Sequence, residues 1–413
     1  MTHPRIAHLI ADLNGFGGTE ATLLRYISGS GIPRHCHRVI VLKQTGTGNT
    51  TGTQMIAAGI PVLALEQKGS LMSAAALRRL HAELRAFEPD VISGWLYHCC
   101  LLATVLAGML PRRPAVVWHF RCSTFSSLRH TPVRYLTQRM LRLLAPLTAP
   151  VMVSNSRVAV ADHAALGFDA RPQRWHIIHN GIDTRHYRPD PHDRQEVRRE
   201  LGIPANALVV GCVGRLAPEK SYDTMLQAMA EALRMLPAEL AAQLHFIGMG
   251  QGVSATNPAF SALMPPGLPA HRLHLLDKRA DVARLLRALD IYVLSSMSEA
   301  FPNSLAEAMA SALACVSTAV GECPEVLALP DLIVPAGDAG RLAGRIAALA
   351  AMDESQRRAI GDGNRERIME RFTLARMVER FDALFLEAAG MTDGAGSMAA
   401  GAAGAVSVAR RRS

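Results

Sequence analysis

Ser295-Ser-Met-Ser-Glu-Ala-Phe-Pro-Asn-Ser-Leu-Ala-Glu-Ala-Met309 is the stretch on which the reading of the fold turns. It follows an apolar run, Ile291-Tyr-Val-Leu294, that reads as a buried strand. Pro302 suits the first position of a helix, where a missing N–H costs nothing, and Asn303 to Ala312 carry strong helix formers. The order predicts a strand, a tight loop holding Glu299, and a helix start with free backbone amides near Asn303, Ser304 and Leu305. Such a helix start attracts a phosphate. Glu307 lies inside the helix, eight residues after Glu299. Two acids beside a phosphate-binding helix end fit one task well: they hold neutral hydroxyls while the amides hold the phosphate, as a sugar nucleotide requires. By spacing alone, the same acids also fit an ordinary solvated helix face, so the rest of the chain has to decide.

Outward from this stretch, short apolar strands alternate with helical patterns in both directions. Ile6–Ile10, Val39–Leu42, Val62–Leu65, Val91–Trp95, Ala115–Trp118 and Val151–Val153 read as strands, separated by helical periodicity such as Ser73–Phe87 and Arg134–Leu144. The pattern restarts after Asn180 with Leu208–Val213, Leu244–Ile247, Leu273–Leu276, Ile291–Leu294, Cys315–Thr318 and Leu332–Val334. Continuous apolar strands alternating with helices mean parallel sheets covered on both faces, and two such series predict an α/β protein of two Rossmann-like domains. His186-Tyr-Arg-Pro-Asp-Pro-His-Asp193 is the natural linker.

Composition narrows the functional classes. A chain of 413 residues with 49% apolar and 19% charged content is long enough for two or three domains. Seven cysteines without a C-x-x-C argue against a disulfide framework or a zinc module and for a reducing compartment. The opening Met1-Thr-His-Pro-Arg5 runs straight into a strand, which reads as no secretory leader. The apolar stretch Cys99–Leu110 is too short to span a bilayer. Residues 1–150 hold 16 Lys+Arg against 6 Asp+Glu, whereas residues 151–413 hold 28 against 29. A basic front half predicts an anionic partner, and nucleic acid is disfavoured because the arginines are not interleaved with aromatics. Residues 391–413 lack large apolar side chains and read as a disordered tail.

Further motifs sit where strands end. Gly15-Phe-Gly-Gly-Thr-Glu20 opens a helix after the first strand, but Glu20 stands where a dinucleotide fingerprint needs its third glycine, so a nicotinamide enzyme is disfavoured. Trp95-Leu-Tyr-His98 and Val117-Trp-His-Phe-Arg121 end two strands at the edge where open α/β sheets bind ligands. In Val213-Gly-Arg-Leu-Ala-Pro-Glu-Lys-Ser221, Arg215 and Lys220 flank a short turn after Gly214. Two fixed cations there would stabilise the charge that grows on a departing nucleoside diphosphate. No Asp-x-Asp occurs and the sixteen histidines form no ligand pattern, so no metal and no cofactor is expected.

Taken in order, these motifs resemble those of the large retaining glycosyltransferase family with the GT-B fold and a Glu-x7-Glu signature, family 4 type, in its subgroup for bacterial polysaccharide assembly. The resemblance implies an acceptor-binding domain over residues 1–185 and a nucleotide-sugar domain over 186–371. A helix at 372–390, centred on Leu374 to Ala388, would cross back to the first domain. It implies catalytic roles for Arg215, Lys220, Glu299 and His119. Gly17, Gly18, Gly214, Lys278, Arg279, Phe301, Asn303, Ser304, Leu305 and Glu307 would bind the donor, and Glu20, His98 and Arg121 the acceptor. Asn180-Gly-Ile-Asp183 resembles the turn that enters the second domain. The implied reaction moves a sugar from a UDP- or GDP-sugar to a glycan or lipid-linked acceptor, in the cytoplasm or at the inner face of the cell membrane. A nucleotide-sugar epimerase of the same architecture and a catalytically silent sugar-nucleotide-binding protein remain as alternatives.

Overall fold

Each continuous apolar run becomes a parallel strand in the structure, a computed structural model that describes residues 3–14, 18–48, 50–67, 72–121, 132–148, 150–168, 171 and 174–391. The first seven strands are β1 (Ile6–Ile10), β2 (His37–Val41), β3 (Val62–Ala64), β4 (Val91–Trp95), β5 (Ala115–Phe120), β6 (Val151–Ser154) and β7 (Trp175–Ile177). They form one sheet in the order β3-β2-β1-β4-β5-β6-β7. The remaining six are β8 (Leu208–Val213), β9 (Leu244–Met249), β10 (Leu273–Leu275), β11 (Ile291–Leu294), β12 (Ala314–Thr318) and β13 (Ile333–Val334). Their order is β10-β9-β8-β11-β12-β13. Strand order reverses between β1 and β4 in the first sheet and between β8 and β11 in the second. The loops leaving those strands flank a crevice at the carboxyl edge of each sheet, the usual place for a ligand in an open α/β fold. The motifs Trp95–His98, Val213–Ser221 and Ser295–Met309 leave from β4, β8 and β11, and Val117–Arg121 from the neighbouring β5.

The central strands are buried on both faces, with β1, β4, β11 and β12 wholly so. The helix Leu374–Ala388 closes the first domain rather than the second. Its Phe381 and Phe385 are fully buried against Tyr26 of the helix Gly18–Gly29, at ring centroid distances of 5.0 and 5.6 Å. Burying a phenylalanine contributes about 1.5–3 kcal/mol. Asp382 fixes the register, accepting hydrogen bonds from the Tyr26 hydroxyl at 3.0 Å and the Gly31 amide at 2.8 Å. The chain therefore crosses between the domains twice. The crossings touch, with Ile182 N–H donating to Phe372 O at 2.8 Å and Leu374 N–H to Ile182 O at 3.0 Å.

Some elements differ from the sequence expectation. Helix Glu354–Arg371 has no readable apolar stripe because its buried face consists of Gly361, Asn364 and Ile368. A Cβ on Gly361 would lie 2.1 Å from Ala312 O, so this polar helix is held by close backbone approach instead of apolar bulk. β7 is a half-buried edge strand of three residues, too short to stand out. Pro302 is the residue before the helix Asn303–Ala310, one place earlier than its composition suggests. The tail expected to be disordered lies outside the described residues, apart from Met391. Six cysteines are described, all buried and free.

Candidate active site

Three loops of the second domain are stitched together by their backbones. Gly214, just after β8, donates to Met249 O at 2.8 Å, and Leu216 donates to Gln251 O at 2.7 Å. Gly250, after β9, donates to Asp277 O at 2.9 Å. Gly214 also makes room for a cation: a Cβ there would meet the Cγ and Cδ of Lys220 at 3.3 Å, so the lysine stem lies flat across the glycine. The loop after β11 joins the same assembly through Met297 N–H to Glu219 O at 2.8 Å and Ser295 Oγ to Lys220 O at 3.0 Å.

This stitching brings Lys220 Nζ to 2.6 Å from Glu299 Oε1, and Ser296 Oγ donates to that oxygen at 2.7 Å. Both charged side chains are largely buried, the lysine 21% and the glutamate 12% exposed, where a paired charge interacts far more strongly than on the surface. Arg215 pairs with Glu219 at the more open rim. Beside the Lys220–Glu299 pair the helix Asn303–Ala310 begins with no side chain capping it, which leaves its dipole end available to an anion. Ser304 sits half-buried in the first turn, while Leu305 is fully buried in the core. Phe301 is also buried, against His179 and Phe372 at 5.7 Å to each ring, so it supports the crossing between domains. Lys278 is exposed on the loop after β10, and the neighbouring Arg279 is held by Asp281 through bonds of 2.8 and 2.7 Å.

The first domain meets this surface from the opposite side. Gly18 packs against Asn303, with a Cβ position 3.3 Å from its Nδ2, while Gly17 lies outside the described residues. Arg121 is buried over the Trp95 ring, donates to Thr22 Oγ1 at 3.3 Å and bonds to Asn180 Oδ1. Asn180 in turn donates to Asn303 Oδ1 at 2.8 Å. A continuous polar chain thus runs from the β5 end to the uncapped helix. Burial lowers the Arg121 guanidinium to about 9. Glu20 is half-buried on the same helix as Thr22, and burial pushes its carboxyl up. His98 is exposed at the start of the helix Tyr97–Met109.

The structure places His119, catalytic by the resemblance, in the interior at the end of β5. Its ring is fully buried, stacked on Trp95 at 4.0 Å, with Nε2 2.9 Å from Ser93 Oγ and Phe381 at 5.8 Å. Burial, then the charge of Arg121, holds it well below the ordinary histidine range, so the ring is neutral, and the returning C-terminal helix packs over it.

Sequence reasoning misses Arg25, Tyr187 and Glu322, which the structure brings to the site. Glu307 lies 3.9 Å from Arg25 of the first domain and hydrogen-bonds Tyr187. Burial pushes its carboxyl up, and Arg25 pulls it back down. Glu322, only 2% exposed, reaches from the loop after β12 to the first turn of the first-domain helix Arg157–Ala165. It bonds the Arg157 amide and accepts from Val158 N–H at 3.4 Å, while its own N–H donates to Ala300 O at 3.0 Å. Neighbouring Gly321 has φ +51°, and a Cβ there would lie 2.1 Å from Glu299 O. Their position just past a strand end was the available hint. Among the described residues His192, Asp193 and Glu196 could together hold a metal, but Arg284 and Arg287 already pair with the two acids.

Two Rossmann-like domains that face each other across a crevice and carry their loops at the switch points define the GT-B architecture. Comparison with known proteins agrees: residues 17–186 match the family model "Glycosyltransferase Family 4" and residues 207–352 match "Glycosyl transferases group 1". The chain belongs to this glycosyltransferase family. It is 32% identical over 218 residues to D-inositol 3-phosphate glycosyltransferase of Segniliparus rotundus, covering 50% of this chain and 45% of that protein. It is 27% identical over 215 residues to N-acetyl-alpha-D-glucosaminyl L-malate synthase of Bacillus anthracis, covering 51% and 53%. The chain thus spans about half the length of these curated relatives. Among solved structures, HepE of Anabaena in complex with UDP matches with TM-score 0.78 and 22% identity, over 93% of this chain and 100% of that one. The lipopolysaccharide glycosyltransferase WaaG matches with TM-score 0.66 and 18% identity, over 92% and 99%. At these identities the likeness is one of fold.

Proposed function

We propose that the protein transfers a sugar, with retention of configuration, from a nucleoside diphosphate sugar to a glycan or lipid-linked acceptor in cell-surface polysaccharide assembly, on the cytoplasmic side. The observation that carries this reading is the Lys220–Glu299 pair, 2.6 Å apart, beside the uncapped start of Asn303–Ala310. A diphosphate there takes the helix amides and draws the Lys220 ammonium, with Arg215 closing from the rim. As the bond from the sugar C1 to the diphosphate oxygen breaks, a bond from C1 to the acceptor oxygen forms. The acceptor proton passes to the departing diphosphate, so no protein general base is required. Negative charge grows on that diphosphate, and fixed cations and amides favour this state over the bound substrate. Glu299 holds sugar hydroxyls, and Glu307 holds the ribose once Arg25 yields. Support for a nucleotide-sugar donor comes from HepE, whose structures contain UDP and UDP-glucose.

The decisive test is a thermal shift with UDP and GDP followed by product analysis with the matching sugar nucleotides. A ligand that binds only the folded state stabilises it by about 2.7 kcal/mol at a hundred times its dissociation constant. Neither diphosphate shifting the transition would overturn the site. Because two cations are built in and no Asp-x-Asp is present, turnover is expected to persist in EDTA. Loss that magnesium or manganese restores would show that a metal shares the charge. Glu307→Ala is expected mainly to raise the donor KM, since a ribose contact is the same before and during reaction. An unchanged KM with a collapsed kcat would move Glu307 into the chemical step.

A further inference from the structure

The helix Pro132–Thr148 turns its apolar stripe outward. Val133, Leu136, Met140, Leu143 and Leu147 follow one another at spacings of three and four, and Leu136, Leu143 and Leu147 are 60%, 60% and 80% exposed. The inward side consists of Leu141 and Ala145 with the polar Thr137 and Gln138. This arrangement inverts that of a surface helix on a soluble domain, which buries its apolar stripe and shows its polar one. The helix Tyr97–Met109, packed beside it, adds exposed Val105 and Met109.

Charge says what covers this face. Residues 91–161 contain eight arginines and not one aspartate or glutamate. Arg139 is exposed alongside the stripe, and Arg113 is exposed on the turn that ends the neighbouring helix, where Arg112 pairs with Glu88 at 3.3 Å. We propose that the outward stripe of Pro132–Thr148 inserts shallowly, lying flat, into a membrane surface that carries anionic lipid headgroups. A helix of 17 residues is about 25 Å long, which gives Tyr135 and the leucines a continuous strip at headgroup depth while Arg139 meets the phosphates. No helix among the described residues is long and apolar enough to cross a membrane, so the contact lies in the plane of the surface. A second copy of the chain fits worse, because it would set arginines against arginines. The inference rests on the transferase reading for its purpose alone, which is to hold the cleft beside a lipid-linked acceptor.

Flotation of the full chain with phosphatidylcholine vesicles, with and without phosphatidylglycerol, tests it. The chain is expected to float only with the anionic vesicles and to retain part of that binding when salt screens the arginines. The triple variant Leu136→Ser, Leu143→Ser, Leu147→Ser, altered only at exposed positions, is expected to lower the partition coefficient on the order of 100-fold. Tyr135→Trp in the otherwise native chain should show a blue shift of its emission on mixing with anionic vesicles. The proposal is overturned if the chain ignores anionic vesicles, if the triple variant floats as well as the parent, or if light scattering shows a dimer that the triple variant makes monomeric. UDP and GDP binding, measured on both proteins, keeps the two readings apart: vesicle binding without nucleotide binding sinks the transferase and leaves this surface standing.

Discussion

Lys220→Ala is expected to lower the turnover number by roughly 10² to 10³, the scale of removing one preorganised charge stabiliser from a transition state. The lysine is held against Gly214 and aimed by Glu299, so little reorganisation is needed when charge develops on the diphosphate. Its removal also leaves Glu299, 12% exposed, with Ser296 as a remaining donor, and an under-paired buried carboxylate costs about 1–3 kcal/mol. The melting temperature must therefore be measured beside kcat and KM. Arg215→Ala belongs at the lower end of the same range, because Arg215 is 65% exposed before ligand arrives. If both variants, shown to be folded, keep full turnover, the diphosphate does not lie where the loop after β8 would put it.

Gly250→Ala is expected to destabilise the second domain by about 3 kcal/mol. The residue has φ +148°, and an added Cβ would stand 2.0 Å from Gly214 O and 2.4 Å from its carbonyl carbon. Neither atom is the end of a flexible side chain, so the two loops must part. Overpacking against a fixed neighbour costs about 1–3 kcal/mol, and a strained backbone adds a similar amount. The shift also moves Arg215, the next residue along, so nucleotide affinity should fall with stability. Gly267→Ala is the control for the cost of a positive φ alone, since nothing lies within 4 Å of a Cβ there. Equal melting temperatures for the two variants would mean that the β8 and β9 loops are not in contact in solution.

The fold was legible because parallel strands are buried on both faces and so appear as unbroken apolar runs. The loops that leave them were legible because charged and glycine-rich residues at strand ends are hard to explain by packing. Lys220 and Glu299 were marked in this way, 79 residues apart in sequence, and the structure sets them in contact. The burial of His119 was not legible, because alternation along β5 fixes which side of the sheet it points to but not what covers that side. The cover is the helix Leu374–Ala388, returning from the far end of the chain. Arg25 and Tyr187 are ordinary residues of a helix and a linker, and only the meeting of two domains brings them to Glu307. Helix Glu354–Arg371 escaped for another reason: a contact made through glycine and asparagine leaves no hydrophobic period to find.

The two passages of backbone between the domains lie side by side, tied at Ile182 and Thr373, with Gly181 so close that a Cβ would fall 2.6 Å from Leu374 Cα. A body joined by one strand of chain can pivot and twist in every direction, but one joined by two adjacent strands swings like a door about the line they share. Opening the crevice then needs few dihedral changes, confined to the residues around 181–183 and 372–374. The jaws must return to the same alignment each time they shut. On the proposed reading, with the donor cations on one jaw and the acceptor on the other, that economy of motion would supply much of the aim.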